Sequence, residues 1–257
     1  MPAPGIRPWC ATPWGSEGAA TGDRHRRRGH LPVIIDERPS PNHGPRRGGI
    51  TAPDLIVIHY TAMRGGAEPA IRWLCDPASE VSCHYVLGET GRIARLVPDH
   101  LRAWHAGAGE WQGREDVNSR SIGIELSNDG ASPFPAPQMA ALEWLLRDLM
   151  ARHRIAPRGV IGHSDCAPGR KIDPGPRFDW LRLARQGLAA RPLPVTAEPG
   201  SFAAHARAAG YTAPVEEAVL LAAFRLRHRP HAVGPADAVD AGLAAGLAAL
   251  DGGAPAA

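Results

Sequence analysis

Runs of apolar residues and their spacing predict an alternation of strands and helices along most of the chain. A continuous apolar run rich in β-branched residues at 55–58 predicts a buried strand. Apolar residues at helical spacing predict a long helix over 138–153, with prolines before and after it. The other predicted elements are a short strand at 33–36, a helix at 67–75, strands at 84–87 and 92–97 joined by a hairpin turn, a strand at 121–126, a strand beginning at Val160 and a closing helix at 178–188.

This alternation is typical of an α/β fold, in which a mixed β-sheet is flanked by helices. Near residue 190 it gives way to an alanine-rich segment with two apolar stripes at helical spacing, which predicts a small helical bundle. The predicted organisation is a disordered basic arm at 1–32, a main domain at 33–190, a linker at 191–198, a helical domain at 199–250 and a flexible tail at 251–257.

Composition excludes several classes of protein. No apolar run approaches the roughly 20 residues that a membrane-spanning helix needs, so we expect no membrane span. The net charge of +3 arises from residues 1–50, which carry 8 Arg against 4 acidic residues, while the rest of the chain has a net charge of −1. We therefore expect no nucleic-acid partner, since such a protein needs a basic folded face. The four cysteines lack CxxC spacing, which favours free thiols and leaves a Cys75–Cys83 bridge open.

Three polar side chains follow predicted strands or lie in an adjacent loop. His59 directly follows the apolar run at 55–58, His163 follows the strand beginning at Val160, and Asp173 lies ten residues further on. Two imidazoles and one carboxylate are a common ligand set for catalytic zinc, with the fourth position open. The spacing is not that of a zinc finger, and hydrogen-bonded histidines at strand ends would give the same pattern. The residues alone leave both interpretations open.

Two further charged residues fit catalysis at such a site. Glu125 interrupts the apolar strand at 121–126, where burial of a carboxylate is costly unless it is paired or used. It is a candidate general base, although alternation along the strand also allows an outward-facing residue. Lys171 lies two residues before Asp173, on the same side of an extended loop, and could stabilise an oxyanion. A solvated lysine is the simpler alternative.

Aromatic residues beside histidines are candidates for a binding groove. Trp104 and His105 precede a glycine, and such a pair can line a groove for a sugar or a peptide. His84 and Tyr85 could face the same cleft. Ordinary packing explains each of these residues equally well when it is considered alone.

Five ordered segments together resemble a known family. They are IHYT at 58–61, SCHY at 82–85, RAWHAG at 102–107, SIGIEL at 121–126 with Asn118 before it, and GHSD at 162–165 followed by APGRKIDPG at 167–175. Over about residues 33–190 the chain is similar to the type 2 zinc N-acetylmuramoyl-L-alanine amidases.

The resemblance implies a mixed sheet with one Zn²⁺ ion in a surface groove. It implies that His59, His163 and Asp173 are the ligands, that Glu125 activates a water molecule and that Lys171 polarises the substrate carbonyl. Some relatives use cysteine as the third ligand, but here Asp173 has that place. The residues that the resemblance assigns to the groove or to its support are Tyr60, His84, Tyr85, Trp104, His105, Arg114 and Asn118.

The implied reaction is hydrolysis of the amide between N-acetylmuramic acid, or its anhydro form, and the L-alanine of the stem peptide. This reaction belongs to peptidoglycan turnover or recycling in bacteria, with peptidoglycan or muropeptide fragments as partners. The alternative is a non-catalytic peptidoglycan-recognition protein on the same fold. We expect a monomer.

The segment at 199–250 is similar to small helical peptidoglycan-binding modules, and a helical appendage that only packs on the main domain is the alternative. The sequence as given has no apolar signal segment, which favours the cytoplasm. A wall-binding module would favour the periplasm or the cell envelope instead.

Overall fold

The computed structural model of the protein describes residues 35–250. The predicted basic arm at 1–32, the tail at 251–257 and the first two residues of the predicted strand at 33–36 lie outside the described residues.

The described chain alternates short strands and helices until residue 184 and is helical after residue 198. The strands are β1 Ile35–Glu37, β2 His43–Pro45, β3 Leu55–Tyr60, β4 Tyr85–Leu87, β5 Ile93–Arg95, β6 Leu101–Ala103, β7 Ser121–Leu126 and β8 Val160–Gly162. The helices are α1 Ala67–Cys75, α2 Val117–Arg120, α3 Ala136–His153, α4 His163–Cys166, α5 Trp180–Ala184, α6 Phe202–Ala208, α7 Glu217–His228 and α8 Ala238–Ala249. Short 3₁₀ helices lie at Pro77–Ser79, Pro157–Gly159 and Pro199–Ser201.

Six of these strands form one sheet in the order β1-β5-β4-β7-β3-β8. The pairs β4–β7, β7–β3 and β3–β8 are parallel, and β4–β5 is the predicted antiparallel hairpin. Strands β2 and β6 form a separate antiparallel pair. Helices cover the sheet, which confirms the predicted α/β class.

Side chains that alternate along the central strands face two different layers. Ile56 and Ile58 of β3 and Ile122 and Ile124 of β7 pack against α3 on one face of the sheet. The intervening positions point to the other face, because successive side chains of a strand alternate. Strand β7 carries serine, glycine and glutamate at its intervening positions 121, 123 and 125, so this second face has room for other groups.

Most predicted elements agree with the structure, and the closing helix differs most. The prediction for α1 matches at both ends, and α3 begins two residues earlier than predicted. The closing helix is only Trp180–Ala184, shorter than the predicted 178–188. The Asp179 side chain accepts a hydrogen bond from the backbone N–H of Arg182 and starts the helix there. Gly187 has a φ of 70°, which a continuing helix does not allow.

The C-terminal helices pack on the second face of the sheet. Leu55 and Val57 of β3 belong to the same buried apolar cluster as Phe202, Phe224 and Leu247. The segments at 33–190 and 199–250 therefore share a core, and no separate core marks the predicted boundary between them. Across residues 35–250 no helix combines the length and the apolar character needed to cross a membrane.

The predicted linker at 191–198 lies directly on α8. The backbone N–H of Val195 donates a hydrogen bond to the carbonyl of Gly242 at 3.2 Å. A Cβ atom at Gly242 would lie 2.2 Å from the carbonyl oxygen of Val195, and one at Gly246 would lie 1.9 Å from that of Leu193. Because only glycine permits this close approach, the two residues seat the segment against the helix.

Candidate active site

Three buried side chains meet where parallel strands end. His59 is the penultimate residue of β3, His163 directly follows the neighbouring strand β8, and Asp173 lies in the loop after α4. The Nδ1 atoms of the two histidines are 3.0 Å apart. The Oδ2 atom of Asp173 is 2.9 Å from Nδ1 of His59 and 3.1 Å from Nδ1 of His163. The structure thus brings together the three predicted metal ligands.

The chemistry and the spacing of these atoms fit a zinc ion. Zinc takes imidazole nitrogen and carboxylate oxygen at about 2.0–2.2 Å in a tetrahedral arrangement, whose ligand atoms are then about 3.3 Å apart. The observed triangle is close to this size, and all three residues are buried. Three unprotonated donors so close together without an ion would repel one another.

The outer nitrogen of each histidine has its own partner. His163 Nε2–H donates to the carbonyl oxygen of Ala106 at 2.9 Å, so its Nδ1 keeps a free lone pair. His59 Nε2 lies 3.0 Å from His105 Nδ1, and His105 Nε2 lies 3.1 Å from the Ser121 hydroxyl oxygen.

The hydroxyl of Ser121 decides the direction of this chain of hydrogen bonds. It donates to the carbonyl of Val117 at 2.6 Å, so its oxygen accepts from His105 Nε2–H. The Nδ1 atom of His105 then accepts from His59 Nε2–H, which leaves Nδ1 of His59 free for a metal. Hydrogen bonds of this kind fix the tautomer and orientation of metal-binding histidines.

The imidazole of His105 occupies the space above Gly123 of β7. A Cβ atom there would lie 2.5 Å from the ring, so a larger residue would displace it. Asn118 holds the same loop, since its Oδ1 atom accepts the backbone N–H groups of His105 and Ala106 at 3.0 and 2.8 Å. Asn118 therefore supports the site from behind.

Glu125 faces the same site from β7. It lies beside His59 in the register of the two strands, on the face opposite to its apolar neighbours. The alternation predicted this face correctly, but the face is not open solvent. The Oε2 atom of Glu125 is buried and has no hydrogen-bond partner within residues 35–250. Burial and, to a smaller extent, Asp173 raise the pKa of this carboxyl to about 8, against the opposing effect of Lys171.

Two of the candidate metal ligands, His59 and Asp173, have shifted pKa values. Burial and the neighbouring His163 lower the pKa of His59 to about 4. Burial opposes ionisation of Asp173, but the adjacent imidazoles of His163 and His59 hold its pKa well below the usual range. A neutral imidazole at His59 beside an ionised carboxylate at Asp173 suits metal ligation.

The three groups lie at the floor of an open cavity of about 580 Å³. Trp73 and Ile172 also line it, and they are 51% and 59% exposed. The other predicted residues that line it are Tyr60, Trp104, His105, Glu125 and Lys171.

Three predicted residues lie elsewhere. His84 and Tyr85 are fully buried and do not line the cavity. The imidazole of His84 donates to Leu101 and accepts from the backbone N–H of Gly123, and Tyr85 donates to Asp99. Because their polar atoms are satisfied inside the protein, we withdraw both as substrate-binding residues. Arg114 is exposed outside the cavity, 3.5 Å from Asp54.

Trp73 and Arg170 also line the groove and were not among the residues predicted from the sequence. Trp73 lies on α1 away from the buried Ile71 and Leu74. A tryptophan off the apolar face of a predicted helix was the sequence signal that it could line a groove. Arg170 donates to the carbonyl oxygens of Ala106 and Ala108 and so holds the loop that carries His105. In the sequence, only its position next to Lys171 indicated that Arg170 lies near the site.

Comparisons with known proteins agree with this geometry. Residues 50–176 match the model of the N-acetylmuramoyl-L-alanine amidase family (Amidase_2). The chain is 34% identical over 170 residues to the 1,6-anhydro-N-acetylmuramyl-L-alanine amidase AmpD of Enterobacter cloacae, covering 58% of this chain and 89% of AmpD. The chain belongs to the N-acetylmuramoyl-L-alanine amidase family. This confirms the family predicted from the five motifs and identifies the chain as an amidase.

Another member of the family is more similar over a shorter part of its length. The chain is 41% identical over 154 residues to the N-acetylmuramoyl-L-alanine amidase AmiD of Escherichia coli (strain K12), which is 54% of this chain and 54% of AmiD. The alignment thus spans about half the length of that relative.

Two similar solved structures have the same fold. One is AmiD from E. coli in complex with anhydro-N-acetylmuramic acid-L-Ala-D-γ-Glu-L-Lys, with a TM-score of 0.70, 34% identity and coverage of 80% of this chain and 93% of that chain. The other is AMPDH3 from Pseudomonas aeruginosa, with a TM-score of 0.70, 28% identity and coverage of 91% and 99%. Because both alignments cover at least 80% of this chain, the structural similarity includes part of the C-terminal helices as well as residues 33–190.

We expect Glu125→Gln to stabilise the metal-free protein, and to do so more at pH 8 than at pH 5. In the unfolded chain this carboxyl ionises near its ordinary pKa of 4.5, but in the folded protein its pKa is about 8. Wild-type stability therefore falls relative to the variant as pH rises between these values. Urea unfolding of the metal-free proteins at both pH values measures the difference.

Glu115→Gln is the matched control, since Glu115 is exposed and lies outside the cavity that holds Glu125. A stability difference for Glu125→Gln that is the same at pH 5 and pH 8 would contradict the burial of an unpartnered carboxyl.

Proposed function

We propose that the protein is a zinc-dependent amidase that cleaves the amide between N-acetylmuramic acid, or its anhydro form, and L-alanine of the stem peptide. The observation that carries this proposal is the triangle of buried donor atoms beside the unpartnered oxygen of Glu125. A site built only for recognition has no use for a buried carboxylate oxygen without a partner, because its desolvation is costly.

His59, His163 and Asp173 would hold the zinc ion. A bound zinc ion of this kind lowers the pKa of a water ligand to about 7 and polarises carbonyl oxygens. The hydrogen bonds from His59 to His105 and from His163 to Ala106 hold both imidazoles in the orientation that ligation requires.

Glu125 is the proposed general base and then general acid. Its raised pKa is suited to accepting a proton from the attacking water and returning it to the leaving amine near neutral pH. In the strand register it lies beside His59, one of the proposed zinc ligands.

Lys171 is the proposed oxyanion stabiliser. It lines the cavity two residues before Asp173, and its charge acts on both Glu125 and His59. A cation at this position would offset the negative charge that develops on the carbonyl oxygen when water attacks.

The open groove supports a muropeptide as substrate. Exposed Trp73 and the predicted Trp104 line it, and aromatic faces suit the apolar faces of sugar rings. Tyr60 and His105 complete the predicted set of groove residues that line the cavity. Similar amidases have been solved with anhydro-muropeptides bound, which supports the anhydro form.

Asp173→Ala is expected to abolish stoichiometric zinc binding, because it leaves only two of the three protein ligands. Metal analysis after dialysis against zinc should find about one ion per wild-type chain and much less in the variant. Asp179→Ala, a change at an exposed helix start, serves as control. Full zinc retention by Asp173→Ala with normal activity would refute the ligand set.

We expect the zinc-loaded protein to release free stem peptide from purified anhydro-muropeptides. Glu125→Gln should abolish release, and Lys171→Met should lower kcat by about 10²–10³-fold, as for loss of one oxyanion-stabilising group. Mass spectrometry of the products measures both.

Intact sacculi in a parallel reaction distinguish recycling of fragments from turnover of the wall. If the folded wild type binds zinc and muropeptide but releases nothing, the protein is instead a recognition protein on the same fold.

We further propose that the C-terminal helices contribute binding to peptidoglycan. Helix α7 and the loop after it form an apolar groove of about 610 Å³, lined by Leu221, Leu226 and Pro230 among others. A second contact would raise the effective concentration of a polymeric substrate at the active site.

In an inactive Glu125→Gln background, Leu226→Gln should lower the fraction of protein that sediments with purified sacculi, since it places a polar group in this groove. Val239→Gln is the control, because Val239 is an exposed apolar residue outside the groove. Equal sedimentation of both variants and the parent would leave packing on the sheet as the role of these helices.

The cytoplasmic location and the monomeric state remain predictions.

A further inference from the structure

A buried carboxylate that takes no part in the proposed reaction lies two residues from His163. Asp165 is fully buried and receives three hydrogen bonds. The backbone N–H of Gly162 donates to Oδ2 at 2.8 Å, Arg227 Nη1 donates to Oδ2 at 2.7 Å and the Tyr211 hydroxyl donates to Oδ1 at 2.9 Å. Two of the three donors come from the C-terminal helical segment.

Arg227 is itself held on several sides. It lies on α7, where its Nη2 atom donates to the carbonyl of Val160 on the edge strand β8 at 3.2 Å. Its guanidinium group also stacks on the ring of Trp180, 4.2 Å from the ring centroid. Tyr211 packs edge-on against Trp111, with ring centroids 5.0 Å apart. The guanidinium and the phenol are thus fixed relative to the sheet.

Asp165 links these two C-terminal side chains to the backbone beside His163. Its bond to the N–H of Gly162 holds the peptide unit between Ile161 and Gly162, one residue before His163 and at the start of the four-residue helix α4. The next residue, Ser164, donates its backbone N–H to the carbonyl of Asp173 at 3.0 Å. The segment that Asp165 anchors therefore carries one proposed ligand and contacts the backbone of another.

Stability alone is a weak reason for such a pair. Removing two charges from water is costly, and replacement of a buried ion pair by apolar residues is often neutral or stabilising. A buried pair does specify one relative position of the two segments that it joins. Here these segments are the ligand-bearing helix α4 and the C-terminal helix α7.

We propose that Arg227 and Tyr211 are positioning residues for His163, and that the C-terminal helices act through Asp165 to fix the geometry of the metal site. This inference rests on the proposed role of His163 as a zinc ligand. It gives the helical segment a role in catalysis that is separate from any binding to the wall.

The chain offers a matched control on the same helix. Arg225 is two residues from Arg227, both are 7% exposed, and Arg225 is paired with the buried Asp240 at 2.5 Å. That pair joins α7 to α8, so it lies within the C-terminal helices and does not contact Asp165. Loss of Arg225 tests general damage to these helices, whereas loss of Arg227 also releases the ligand segment.

The experiment compares the zinc affinity of the full-length wild type, Arg227→Met, Tyr211→Phe and Arg225→Met by competition with a chelator. Loss of a residue that supports a metal ligand typically weakens metal binding by about 10–100-fold. We expect a loss of this size for Arg227→Met, a smaller loss for Tyr211→Phe and no change for Arg225→Met. The absorption spectrum of the Co²⁺-substituted proteins should change in the same order, which reports ligand geometry without reference to activity.

If Arg227→Met does not fold, Arg227→Lys replaces it, since lysine keeps the charge but cannot bond Asp165 and Val160 together. Wild-type zinc affinity and Co²⁺ spectrum in the Arg227 and Tyr211 variants would overturn the inference, as would equal losses in the Arg225 control. Release of stem peptide by the wild type is measured in parallel. Its absence would count against the proposed reaction, while the affinity comparison would still decide the role of Arg227.

Discussion

The parallel pairing of β3 with β7 on one side and β8 on the other is the constraint on which the site depends. It brings the ends of three strands to one place, so that His59, Glu125 and His163 converge although they are far apart in the chain. Helices cover both faces of this sheet, and His59 and the Oε2 atom of Glu125 are buried beneath the cavity. Burial in turn raises the pKa of Glu125 and lowers that of His59, so a carboxyl of raised pKa lies beside a neutral imidazole.

Groups that no substrate needs to touch maintain the site from outside. Ser121 orients His105, and His105 orients His59, in a chain of hydrogen bonds with a single consistent direction. Small residues make this possible, since the ring of His105 fills the space that a side chain at Gly123 would occupy. On one face of β7, Ser121 thus supports His105, Gly123 leaves room for its ring, and Glu125 is the proposed base.

The C-terminal helices pack on the same sheet that carries the site. They complete the apolar layer on the second face of the sheet, and the segment at 191–198 is seated on α8 by two glycines. Since the buried pair of Arg227 and Asp165 also joins them to the ligand segment, a change in their packing would reach the site directly. A module attached only by a mobile linker could raise the local concentration of substrate but could not influence metal geometry.

By itself, the sequence determined the alternation of elements and the family, and it singled out the residues of the candidate metal-binding triangle, because strand ends, helical spacing and ordered motifs are local signals. It also placed Glu125 on the face opposite to Ile124, since side chains alternate along any strand. Only the tertiary structure decided what covers that face. For the same reason the sequence did not separate Trp104, which lines the groove, from His84, whose partners come from residues 101 and 123. The contacts of Arg227 with Asp165, 62 residues apart, depend on how the helices pack and leave no local pattern.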